Sequence, residues 1–165
     1  MIQKKICVLG AAGVGKTSLI AQFVYSKFSE KYLSSMGVKI DRKVVHLESQ
    51  QVNLMIWDIH GEEKFKKITS SYLRGASGVI MVVDGTRPDT LSVAQDIFQR
   101  VEQDVGNIPS VWLLNKVDLE DQWCMSEGVV KQLREKYVSV YQSSAKTGAN
   151  VEQTFFNITE NMLNV

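Results

Sequence analysis

The 165-residue sequence predicts an α/β fold: an open, mostly parallel sheet with helices on both faces and one antiparallel edge strand. Three observations predict it. Short apolar runs bounded by turn residues alternate with stretches of helical periodicity. The run Gly10-Ala11-Ala12-Gly13-Val14-Gly15-Lys16-Thr17 fits G-x-x-x-x-G-K-[ST] between one such strand and one such helix. Gly10, Asp58, Asn115 and Ser144 each follow the end of an apolar run, and in sheets of this kind ligands are held at the carboxyl ends of the strands.

The elements follow in order. Residues 6–9, rich in β-branched side chains and closed by Gly10, read as a strand buried on both sides. Residues 16–26 place Leu19, Ile20, Phe23 and Val24 on one helical face. A loop over 27–37 leads into a β-hairpin over 38–58 that turns near Ser49. After Gly61 comes a helical or irregular segment, then a buried strand over 79–83. Pro88 marks the start of a helix over 89–104, with Leu91, Ala94, Ile97, Phe98 and Val101 inward. A strand ends at Asn115, a helix covers 129–136, and a short strand covers 138–141. The last helix starts at Val151; Asn150 and Gln153 have the spacing of a capping box, and Val151, Phe155, Ile158 and Met162 form its inner stripe.

The glycine-rich run is a phosphate-binding loop by its chemistry. Its glycines let the backbone curl so that successive N–H groups face an anion, reinforced by the positive end of the following helix. Lys16 supplies a compact charge for the β and γ phosphates, and the Thr17 hydroxyl suits Mg²⁺. A chance glycine-rich turn is the competing reading, and the strand before and helix after disfavour it. Asp58, at a strand end with Gly61 three residues on, is the acidic partner expected for the metal, against a simple turn or cap aspartate. Gly61 then offers its backbone N–H to a γ-phosphate, and loss of that phosphate releases the loop.

The base is named by Asn115-Lys116-Val117-Asp118, an N-K-x-D run at the end of a strand. Guanine carries adjacent N1–H and N2–H₂ donors that one carboxylate, Asp118, accepts together; adenine has no such pair. An acceptor left unpaired by the wrong base discriminates strongly. The third piece is Ser143-Ser144-Ala145-Lys146. With it, the chain resembles the Ras-like small GTPases, most closely the Rab family, over essentially its whole length. Trp57-Asp58 with Gly61, the run Tyr72-Leu73-Arg74-Gly75-Ala76, and Phe28 with Tyr32 extend the match.

The resemblance implies one P-loop NTPase G domain over residues 1–165, binding GTP or GDP with Mg²⁺. It implies nucleotide contacts from Gly13, Val14, Gly15, Lys16, Thr17, Ser18, Phe28, Ser35, Gly61, Asn115, Lys116, Asp118, Ser144, Ala145 and Lys146, with the Ala145 N–H supporting the guanine. Thr17, Ser35 and Asp58 would hold the metal. Catalysis falls to Glu62, with Lys16 and Gly61 against the γ-phosphate. An exchange factor, a GTPase-activating protein and an effector are expected to engage residues 28–37 and 61–74.

Two positions depart from the family pattern. Where relatives carry a metal-ligating threonine, registration from Phe28, Tyr32 and Met36-Gly37 places Ser35, with Ser34 as the neighbouring alternative. Serine keeps the oxygen and loses the methyl group. Where relatives carry a glutamine that orients water, this chain has Glu62, then Glu63. An ionised glutamate accepts from water but donates nothing to the phosphoryl oxygens, and its charge opposes theirs. His60 is expected to be exposed in a loop rather than to act as a base. Ala12 puts a methyl group where an activator's arginine approaches in relatives, which tolerate side chains there.

Composition bounds the rest. Net charge +1 gives no reason to expect nucleic acid or an anionic membrane as a general partner. The two cysteines are a buried Cys7 and a Cys124 near a helix start; neither suggests a metal site or redox pair, so a reducing, cytoplasmic setting is expected. Residue 2 is isoleucine, the last five residues hold no cysteine, and no polybasic tail follows the last helix, so no membrane anchor is read within this chain. A monomer is expected. Three functions fit: a GTP-hydrolysing switch, a GTP-binding interaction module with negligible turnover, and an ATP-using enzyme, in which N-K-V-D and S-A-K would have no role.

Overall fold

A computed structural model describes residues 1–28, 38–60 and 70–165. Six strands form one sheet in the order β2-β3-β1-β4-β5-β6. In chain order these are β1 (Ile2–Gly10), β2 (Val38–His46), β3 (Gln51–Ile59), β4 (Gly78–Asp84), β5 (Ser110–Asn115) and β6 (Val140–Ser143). The helices are α1 (Lys16–Tyr25), α2 (Asp89–Val105), α3 (Glu127–Lys136) and α4 (Val151–Leu163), with a 3-10 turn at Glu120–Gln122. Residues 70–73 are also helical. Every neighbouring pair is parallel except β2 with β3, so the expected architecture is the observed one. Parallel strands joined by helical crossovers carry helices over both faces of the sheet, and the central β4 and β5 are buried on both sides accordingly.

Successive residues of β1 serve the two faces. Ile6 and Val8 join one core with Leu19, Ile20 and Phe23 of α1 and Phe155 and Ile158 of α4. Phe23 and Phe155 stack at 4.0 Å between α1 and α4. Cys7 and Leu9 join the other core with Ala94 and Val101 of α2 and Val130 and Leu133 of α3. There Trp112 of β5 is stacked on Tyr137 at 4.1 Å and meets the edge of Phe98 at 5.5 Å. The apolar stripes read for α1, α2 and α4 therefore face inward.

Four local expectations are corrected. β1 begins at Ile2, well before residue 6, because its early residues pair with β3 even where they are exposed. α3 begins at Glu127, since Ser126 caps it by accepting from the Val129 N–H at 3.2 Å. β6 covers Val140–Ser143, and Val138 is fully exposed. The capping box at Asn150 does not form: Asn150 is left-handed (φ 59°) and its side-chain amide donates to the Gln142 carbonyl at 2.7 Å. A tertiary hydrogen bond to the end of β6 has taken the group that the local pattern assigned to the helix.

Candidate functional site

The polar residues that follow β1, β3, β4, β5 and β6 come together at the carboxyl edge of the sheet. The phosphate loop links β1 to α1 directly, with Gly13 (φ 75°) and Gly15 (φ 105°) in left-handed backbone. Gly15 is required sterically as well, because a Cβ there would lie 2.4 Å from Asn115 Nδ2. That close approach ties the loop to β5. Asn115 is 1% exposed; its Nδ2 donates to the Val14 carbonyl at 2.9 Å, and its Oδ1 accepts from the Ser143 hydroxyl at 3.2 Å. Lys116 Nζ donates to the Gly13 carbonyl at 3.0 Å. Lys116 is itself left-handed (φ 72°), a conformation a side chain adopts at a cost of about 1 kcal/mol or more, offset by the partners its ammonium gains.

These bonds orient the loop. In a planar trans peptide the carbonyl of one residue and the N–H of the next point in opposite directions. Carbonyls of Gly13 and Val14 drawn toward Lys116 and Asn115 therefore turn the N–H groups of Val14 and Gly15 the other way. Those N–H groups, with the α1 N-terminus, make a concave anion-binding surface. Lys16 is buried, and its Nζ donates to the carbonyls of Gly10 and Ala11, at 2.9 Å each. Ser18 is half-buried in the first turn of α1.

The Thr17 hydroxyl donates to Asp58 Oδ2 at 2.7 Å. Asp58 is 1% exposed, and its other oxygen, Oδ1, has no hydrogen-bond partner among the described residues. A buried carboxylate with an unpartnered oxygen beside a hydroxyl is a donor set suited to a hard divalent cation, so the residues present fit Mg²⁺. His60 corrects an expectation: its side chain is 10% exposed, with Nε2 3.0 Å from Asp58 Oδ2 at an angle that makes no hydrogen bond. The cause is β3, which runs on to Ile59 and delivers His60 beside Asp58 instead of into open loop.

The base-reading residues also converge. Asp118 Oδ1 accepts from the Ser144 hydroxyl at 2.8 Å, and Ser144 Oγ accepts from the Thr147 N–H at 3.0 Å. Ser144 and Ala145 are buried, while Lys146 is exposed. Phe28 is exposed just past α1. Ser35, Ser34 and Tyr32, and Gly61, Glu62 and Glu63, lie outside the described residues.

Two residues here were not among the expected site residues. Asp84, at the end of β4 and 1% exposed, accepts from the Thr86 N–H (2.8 Å) and hydroxyl (2.6 Å), from Arg87 Nε (3.1 Å) and from Lys116 Nζ (2.7 Å). Burial pushes its pKa up, but the bonds from Lys116, Thr86 and Arg87 outweigh that and hold it below its ordinary value. Arg87 Nη2 donates to the Ala12 carbonyl at 2.8 Å. The available signal was position: Asp84 follows an apolar run just as Asp58 and Asn115 do.

The family model described as "Ras family" matches residues 5–164. The chain belongs to the Ras family. This small GTPase is 34% identical over 158 residues to Ras-related protein Rab-7b of Mus musculus, covering 93% of this chain and 79% of that one. It is 32% identical over 161 residues to Ras-related protein Rab-13 of Canis lupus familiaris (96% and 79%). It is 34% identical over 157 residues to GTP-binding protein ypt1 of Schizosaccharomyces pombe (94% and 77%). As a Ras-like, Rab-related small GTPase, it belongs among the guanine-nucleotide-binding switches.

Proposed function

We propose that this chain is a switch that hydrolyses GTP to GDP with Mg²⁺ and binds effectors in its triphosphate form. The observation that carries this reading is the convergence of three chemistries on one sheet edge: an oriented phosphate loop, a Thr17–Asp58 oxygen pair, and the buried Asn115 and Ser144 with Asp118 half-buried on the Ser144 hydroxyl. Mg²⁺ bound at that pair supplies positive charge against the β and γ phosphates.

In this reading Lys16 moves from the loop carbonyls to the phosphates, and Asp118 accepts from the guanine N1 and N2 groups. The Ala145 N–H supports the base. Ser35 and Gly61 hold the γ-phosphate end, and Glu62 positions the attacking water. Residues 28–37 and 61–74 meet the exchange factor, the activator and the effector. An arginine inserted by the activator supplies the charge stabilisation that Glu62 lacks, an addition worth about 10³–10⁵ in rate in related GTPases.

A second reading, a GTP-binding module with negligible turnover, is favoured by one observation, the glutamate at position 62. Single-turnover hydrolysis by the wild type, Glu62→Gln and Glu62→Ala across a range of pH separates the two. The switch reading expects slow, measurable wild-type turnover that falls with Glu62→Ala and is retained by Glu62→Gln. Wild-type turnover no faster than the buffer control establishes the second reading. A rate unchanged by both substitutions removes Glu62 from the mechanism.

A further inference from the structure

Three consecutive carbonyls of the phosphate loop are held from outside it. Those of Gly13 and Val14 belong to Lys116 and Asn115, residues of the base-reading run. The third, that of Ala12, belongs to Arg87, which lies in a different connection, between β4 and α2, and outside every motif the sequence displays. We propose that Arg87, held by Asp84, is a positioning residue for the nucleotide: it fixes the Ala12–Gly13 peptide so that the Gly13 N–H is presented to the phosphates. This inference rests on the guanine-nucleotide reading of the site.

A carbonyl drawn outward at Ala12 turns the N–H of Gly13 inward, extending by one the row of N–H groups fixed at Val14 and Gly15. Left-handed Gly13 has no Cβ to restrict rotation of that peptide, so local sterics alone leave its orientation weakly specified. The guanidinium is aimed by its second bond, from Nε to Asp84 Oδ2, and Asp84 Oδ2 also takes Lys116 Nζ. One buried carboxylate thus orients two cations that hold two adjacent loop carbonyls, Ala12 through Arg87 and Gly13 through Lys116. Asp84 is in turn fixed by the Thr86 N–H and hydroxyl. The Asp84 backbone N–H donates to Thr90 Oγ1 at 2.9 Å in the first turn of α2, so the device is built into the start of a helix. The Arg87 side chain is 42% exposed, so its contribution is screened by solvent and calls for a moderate effect.

The test is release of fluorescently labelled GDP in the presence of Mg²⁺, for the wild type, Arg87→Ala, Arg87→Lys and Asp84→Asn. Loss of one charge-assisted hydrogen bond predicts release about threefold to tenfold faster for Arg87→Ala. Arg87→Lys should recover part of it, since lysine keeps a charged donor. Asp84→Asn should exceed Arg87→Ala, because it leaves Lys116 and Arg87 side by side without their counter-charge. For Arg87→Ala the ratio of GDP to inosine diphosphate affinity should not move, because that ratio reads the base and not the loop. Release within twofold of wild type for Arg87→Ala overturns the proposal. Equal acceleration by Ala and Lys, accompanied by an equal drop in unfolding midpoint without nucleotide, also overturns it in favour of a purely structural arginine. If the wild type binds no GDP, the guanine-nucleotide reading fails on its own. The positioning claim is then decided by hydrogen exchange of the Gly13 amide in nucleotide-free protein: an altered rate in Arg87→Ala sustains it and an unchanged rate overturns it.

Discussion

Cys7 and Cys124 have the same chemistry and opposite surroundings. Cys7, in the centre of β1, is fully buried, and burial pushes its thiol from an ordinary 9.0 up to about 12. Cys124 is exposed, with its Sγ 3.2 Å from the Gln122 carbonyl. Only the thiolate is an effective nucleophile. Alkylation at pH 8 should therefore modify Cys124 rapidly and leave Cys7 untouched until the chain unfolds. Mass spectrometry of timed samples checks this, and equal labelling of both would contradict the burial. The linkage has a definite sign: the folded state keeps the Cys7 proton that the unfolded chain loses near pH 9, so stability should decline as pH rises from about 9 toward 12. Lys16, Thr17, Asp58, Asn115 and Asp118, which the structure brings to one sheet edge, were legible because binding phosphate, metal and base would each demand a particular residue type at a particular spacing. Asp84 and Arg87 were not, because an acid and a base beside a proline also describe any solvated turn.

The connection between β4 and α2 depends on a missing side chain for its packing. Gly85 donates its N–H to the Asn115 carbonyl at 2.9 Å and accepts from the Cys124 N–H at 2.8 Å. A Cβ on Gly85 would lie 2.0 Å from the Trp123 ring, whose Nε1 is anchored on the Met125 carbonyl at 3.0 Å. Gly85→Ala should therefore destabilise the protein by about 1–3 kcal/mol, the usual cost of overpacking. Gly128, inside α3, has its nearest neighbour at 3.8 Å and an ordinary helical backbone, so Gly128→Ala should stabilise by about 0.5–1 kcal/mol. Urea denaturation of the two variants checks both signs, and a neutral Gly85→Ala would show that Trp123 swings away freely. Existence and order of these elements were readable from apolar runs and periodicity. Their ends were less so, because ends answer to distant groups, as when the Gln142 carbonyl captured Asn150 and left α4 without its expected cap.

At the scale of the molecule, the parallel order β3-β1-β4-β5-β6 aligns the carboxyl ends of five strands. Residues far apart in sequence, from Gly10 to Ala145, thereby share one edge, and α1 starts there with its positive end at that edge. Alternating apolar runs made this topology legible. The sequence did not reveal how the loops interlock, because the bonds from Asn115, Lys116 and Arg87 to loop carbonyls involve backbone groups that every residue carries. Whether this edge holds a guanine nucleotide whose base is read by Asp118 is decided by displacement of fluorescent GDP by GTP, ATP and xanthosine triphosphate, from the wild type and from Asp118→Asn. The wild type should yield to GTP at concentrations several orders of magnitude below those needed for ATP. Asp118→Asn should lose that preference and gain one for the xanthine nucleotide, because an amide donates to the oxygen that replaces the exocyclic amine. Displacement of the wild-type label by ATP and GTP alike, or an Asp118→Asn variant with wild-type affinity for GTP, would contradict the account.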